Sequence, residues 1–67
     1  MDRVQLVRHW REMRESVKAE WGQLTDHELA GISGDYDLLV AAIHQHTGKP
    51  AEEIRRRLDE LGKKFAA

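Results

Sequence analysis

An all-α fold is predicted from three observations. Apolar residues recur at steps of three and four, glycines and a single proline stand where helices stop and start, and no stretch alternates apolar and polar residues over the length of a strand. The chain has 67 residues, enough for one domain, 1–67. A domain this small buries only about 60% of its unfolded surface, so its stability is expected to be modest.

The first helix is expected over 2–21. Leu6, Trp10, Met13, Val17 and Trp21 step by 4, 3, 4 and 4, which is one helical face, and no Gly or Pro interrupts it. Both tryptophans are assigned to the core. Arg11, Arg14 and Lys18 lie beside this stripe as a basic strip, with Glu12, Glu15 and Glu20 interspersed. Such a strip usually forms a solvated flank whose alkyl stems cover the core edge.

Gly22 is suited to the left-handed conformation that closes a helix. Thr25 then stands three residues before Glu28, the spacing of a capping box, and Leu24 and Leu29 flank it at the spacing of a hydrophobic staple. Asp26 and Glu28 place negative charge at the positive end of the new helix. A short second helix is expected from about 26 to 30, stopped by Gly31-Ile32-Ser33-Gly34, where Ser33 or Gly34 would cap the next.

The third helix is expected over 35–47, with Tyr36, Leu39, Val40 and Ile43 as its apolar face, Leu38 and Ala42 extending that face sideways, and Asp35 and Asp37 in its first turn. Gly48 stops it, and Pro50 suits the first position of a fourth helix running to about residue 64. There Ala51, Ile54, Leu58, Leu61 and Phe65 step by 3, 4, 3 and 4. Glu52–Arg56 and Glu53–Arg57 are spaced for ion pairs, and Gly62 is expected to weaken the last turn, with fraying beyond it. The expected architecture is two helical hairpins, joined at Gly31–Gly34, whose stripes face a shared core.

Function classes are narrowed by what the residues lack. There is no cysteine, so neither a disulfide framework nor thiolate chemistry is available. Net charge is −1 with 34% charged residues, which gives no overall attraction to nucleic acid or acidic lipid. No apolar run approaches the length of a membrane span, and the first residues lack a signal-peptide core, so a cytoplasmic protein is expected.

No metal site is expected. His44 and His46 are two apart and point to different sides of a helix, Gly31 stands where His27-Glu28 would need a second histidine, and His9 is alone. Gly48-Lys49-Pro50 lacks the hydroxyl residue of a phosphate-binding loop, and Gly31 and Gly34 follow no strand, so no nucleotide or other cofactor is expected. Ser16 sits among charges and Ser33 in a corner, so no catalytic residue is assigned and the chain is expected not to be an enzyme.

Two weaker alternatives stand beside this. The Gly31–Gly34 corner is similar to the turn of a helix–hairpin–helix motif, whose backbone N–H groups bind a phosphate, although Asp35 and Asp37 place negative charge there. The strip Arg11, Arg14, Lys18 could serve the same end in a weak nucleic-acid binder, or the first helix could lie on a membrane surface or against a partner helix.

Trp10-Arg11-Glu12-Met13 followed by Val17-Lys18-Ala19-Glu20-Trp21-Gly22-Gln23-Leu24-Thr25-Asp26-His27-Glu28-Leu29 resembles the signature of the CsbD-like bacterial stress-response proteins. Gly34, Asp37, Leu39-Val40, Ile43 and Gly48 continue the resemblance, which spans roughly residues 9 to 62. Glu15 departs from a glycine usual in relatives, and Thr47 from an aromatic. The resemblance implies a small cytoplasmic four-helix bundle of two hairpins packed crosswise, made under general stress, with no established molecular activity and no functional residues to carry over. Its partners and oligomeric state are unknown.

Overall fold

A computed structural model describes residues 1–65. Five α-helices follow one another: α1 (Arg3–Arg8), α2 (Trp10–Glu20), α3 (Asp26–Ile32), α4 (Tyr36–Thr47) and α5 (Ala51–Gly62), then a 3-10 turn at Lys63–Phe65. There is no strand among the described residues, so the all-α expectation holds.

The expected first helix is two helices. His9 leaves helical geometry at φ −109°, ψ 24°, although its N–H still donates to the Gln5 carbonyl and its own carbonyl accepts from the Met13 N–H, both at 2.9 Å. The chain therefore bends without losing its helical phase, and Leu6, Met13 and Val17 all remain fully buried. At the bend the His9 ring stacks on Phe65, with centroids 4.6 Å apart and planes at 7°. Phe65 comes from the far end of the chain, so local periodicity carries no sign of the break.

The corner at Thr25 forms as the residues dictate. The Glu28 N–H donates to the Thr25 hydroxyl oxygen at 3.1 Å, and the Thr25 N–H donates to the Glu28 carboxylate at 3.2 Å. Leu24 and Leu29 are both buried, as a staple requires. Gly22 does not take the left-handed conformation: among the described glycines only Gly34 and Gly48 have positive φ. Helix α2 ends instead at Trp21, whose N–H still donates to the Val17 carbonyl and whose ring enters the core.

The second corner differs from expectation. Gly31 lies inside α3, which runs on to Ile32 because that side chain joins the core. Ser33 closes α3 in the left-handed conformation at φ 48° and does not cap the next helix. That cap is Asp35, whose carboxylate accepts from the Leu38 N–H at 3.1 Å. Pro50 is the cap residue of α5 rather than its first helical residue.

Leu39, Val40 and Ile43 from α4, with Tyr36 at its start, supply the largest share of the core, and α5 packs beside α4 as a hairpin. Ile54 and Leu58 face inward from α5, and α2 lies against this helix. Trp21 is 5% exposed, whereas Trp10 is half-buried and packs on the core's edge. Leu38 does not extend the apolar face of α4: it points outward. Helix α5 ends at Gly62 rather than near residue 64 and gives way to the 3-10 turn, and residues 66–67, where fraying was expected to continue, lie outside the described residues. Gly62 itself is buried and leaves room for Met1, whose Cβ and Sδ crowd the place a Cβ would occupy.

Candidate functional site

The sequence singles out two regions where an anion could bind, and the fold positions both. The first is the corner between α3 and α4. Gly34, at φ +85°, is pressed against the junction of α1 and α2: a Cβ there would lie 3.1 Å from Val7 Cα and 3.6 Å from Trp10 Cβ. Three backbone N–H groups at this corner are already engaged. The Asp35 N–H donates to the Ile32 carbonyl at 2.9 Å, the Leu38 N–H to the Asp35 carboxylate, and the Leu39 N–H to the Asp35 carbonyl. Asp37, in the first turn of α4, holds Arg3 through two contacts at 2.6 and 2.8 Å. The corner thus presents a capped helix start covered by α1, and its geometry opposes a phosphate.

The second region is the strip Arg11, Arg14, Lys18. Lys18 reaches across to Asp26 at 2.6 Å, which ties α2 to the start of α3. Arg11 and Arg14 are exposed and make no ion pair among the described residues. The strip therefore splits, with its C-terminal member committed to the fold.

The histidines also have local partners. His46 Nε2 donates to Glu28 at 2.7 Å, and His44 Nδ1 donates to the Lys49 carbonyl at 2.7 Å, which braces the turn into α5. The His46 contact is the first cause holding the Glu28 carboxyl below its ordinary value of 4.5, followed by the backbone N–H of Thr25. No group of three or more His, Asp or Glu comes together for a metal ion among the described residues.

A shallow depression beside Trp21 is lined by Glu20, Lys49, Glu53, Ile54, Arg56, Arg57 and Glu60. Arg57 spans it, donating to Glu20 on α2 at 2.7 Å and to Glu60 on α5 at 2.8 Å. Those two bonds raise the Arg57 pKa, and the Arg57 bond is the main cause lowering that of Glu20. The expected Glu53–Arg57 pair is replaced: Glu53 takes Lys49 at 3.5 Å, and Glu52–Arg56 does not form among the described residues. Sequence spacing missed Arg57–Glu20, Arg3–Asp37 and His46–Glu28 alike, because each joins residues far apart in the chain.

The pattern defines a class: a small all-helical protein whose polar side chains cap helices and bridge them. Comparison with known proteins places it further. It is 35% identical over 52 residues to a UPF0337 protein of Bordetella pertussis, covering 78% of this chain and 79% of that one. It is 31% identical to a UPF0337 protein of Pectobacterium atrosepticum, covering 87% of this chain and 84% of the relative. With the UPF0337 protein YjbJ of Escherichia coli the identity is 30%, over 84% and 81% of the two chains. The chain belongs to the UPF0337 family, the name under which the CsbD-like proteins are known. No family profile matches the chain, and no solved structure does.

Proposed function

We propose that this UPF0337 protein is a non-enzymatic bacterial stress-response protein that works in the cytoplasm through its surface. In this proposal α1 and α2 act as one bent arm, so that the molecule amounts to a four-helix bundle of two hairpins packed crosswise. The observation that carries the reading is the use to which the reactive side chain types are put. Thr25, Glu28 and Asp35 cap helices, His46 and His44 brace them, and Arg57 bridges two. Each of these contacts has a folding role of its own, which favours a structural use of the groups over a catalytic one. The resemblance to stress-response proteins supplies the physiological half of the proposal. It is tested by immunoblotting the host bacterium through stationary phase and after heat, osmotic and acid shock, beside survival of a deletion strain. A several-fold rise under at least one stress is expected. A level that stays constant under all of them, with unchanged survival, would refute the proposal.

A further inference from the structure

Among the described residues three large aliphatic side chains are exposed: Val4 at 63%, Val7 at 62% and Leu38 at 52%. The two valines stand one turn apart on α1, bracketed by Arg3 and Arg8 in a shallow, almost wholly apolar depression. Steps of 3, 4 and 3 from Val4 lead to Val7, Arg11 and Arg14, and the hydrogen-bond ladder through His9 keeps that phase across the bend. One face of the α1–α2 arm therefore carries two valines and then two arginines, with Arg8 beside them and Glu15, a step of 4 beyond Arg11, on the same face.

Charge is distributed unevenly along the chain. Residues 1–18 hold five Lys or Arg against three Asp or Glu, and residues 19–67 hold six against nine. Arg3 and Lys18 are paired with Asp37 and Asp26. Arg8, Arg11 and Arg14 make no ion pair among the described residues, and the acidic groups nearest in sequence, Glu12 and Glu15, make none either. Asp35 is occupied as the cap of α4.

We propose that this face docks on an anionic lipid surface, with Val4 and Val7 entering the headgroup boundary and Arg8, Arg11 and Arg14 against lipid phosphates. Aliphatic side chains ringed by cations are what an interfacial helix presents, and only a few need to enter because the charges supply the remainder. A second copy of the chain fits worse. A stable dimer covers about 800 Å² of each partner, nearly a fifth of the 4399 Å² accessible surface. Helix α1, six residues long, is only about 9 Å in length. Nucleic acid also fits worse, since valines offer a phosphate backbone no donor and bases no stacking face. Nor is a span involved, because no helix described is long and apolar enough to cross a membrane.

The test is co-sedimentation of the full chain with phosphatidylcholine vesicles containing phosphatidylglycerol and with phosphatidylcholine vesicles alone, at low and high salt. Binding is expected on the anionic vesicles only, weakening with salt. Replacing Arg8, Arg11 and Arg14 together by Gln should lower partitioning about a hundredfold, at about fivefold per arginine. Val4→Ser with Val7→Ser should lower it at least tenfold. Both variants should keep wild-type helicity, since these side chains are exposed. Arg55→Gln with Arg56→Gln on α5 is the control, and it should bind as wild type does.

Three results would overturn the proposal. One is no sedimentation with anionic vesicles at low salt. Another is equal loss in the α5 control, which would mean net charge alone decides. The third is valine variants that bind as wild type does while duplex DNA is bound as tightly, which would move the surface to nucleic acid.

Discussion

Gly34→Ala and Gly48→Ala form a matched pair that isolates one contact. Both glycines have positive φ, +85° and +74°, so an alanine at either place adopts a left-handed conformation that costs about 1–2 kcal/mol. Their surroundings differ. Around Gly48 a Cβ would meet nothing within 4 Å, whereas at Gly34 it would lie 3.1 Å from Val7 Cα and 3.5 Å from a Val7 methyl. The nearest atom is backbone, so relief requires moving α1 as a whole, and an overpacked contact of this kind costs about 1–3 kcal/mol more. Gly48→Ala should therefore lower stability by about 1–2 kcal/mol and Gly34→Ala by about 2–5 kcal/mol.

For a domain of this size about 1 kcal/mol corresponds to 4–8 °C in Tm. The pair should thus separate clearly in thermal melts followed by circular dichroism, with urea titrations giving the free energies. Val7→Ala should not rescue Gly34→Ala, because it leaves the Cα in place. Equal losses for the two glycine variants, or full rescue by Val7→Ala, would show that α1 does not press on the corner as described.

Trp21→Ala should cost about 3–5 kcal/mol, the scale for a large buried aromatic, and Trp10→Ala less, because its ring is only partly buried at the core's edge; a near-wild-type melting curve for Trp21→Ala would refute its core role. Thr25→Ala should cost about 1 kcal/mol through loss of the capping box, measured by urea titration, and Thr25→Ser should restore most of it. Stability should fall in acid. Glu20, Asp26, Glu28 and Asp37 are each held below their ordinary values, 4.5 for Glu and 3.8 for Asp, chiefly by Arg57, Lys18, His46 and Arg3 respectively. A depressed carboxylate contributes stability that is complete above its unfolded value and is lost as pH falls through its folded value. Melting temperature should therefore hold above about pH 5 and drop as pH falls below the ordinary carboxylate values of 4.5 and 3.8. Glu28→Gln should make that drop shallower; an unchanged acid limb would mean that the His46 contact does not persist in solution.

What could be read from the chain divides by distance along it. Thr25, Glu28, Leu24 and Leu29 lie within six residues, and their box and staple formed as their chemistry requires. The stripes of α2, α4 and α5 likewise follow from helical spacing, although Leu38 shows that an apolar residue beside a stripe need not be buried. The bend at His9 was invisible because its stacking partner is Phe65. Arg57 looked toward Glu53 on its own helix and was captured by Glu20 on another. At the second corner, Ile32 gained burial if α3 continued, and that outweighed the helix-breaking tendency of Gly31. The candidate anion sites fared the same way: both strip and corner were visible as residue types, but only the fold showed that Lys18 is paired with Asp26 and that the Leu38 N–H is taken by the Asp35 cap.

Helix α1 is anchored unequally to the remainder of the molecule. It contributes a single fully buried side chain, Leu6, whereas α4 contributes four core residues; it is otherwise held by Arg3, which pairs with Asp37 and lies over the Tyr36 ring, by the seat over Gly34, and by Met1 just ahead of it, which packs on Gly62 and pairs with Asp59. Regions with few buried contacts open first. Amide protons of residues 5–8 should consequently exchange with solvent well ahead of those in the middle of α4 and α5. Helix α1 would then open first while the α4–α5 hairpin stays closed.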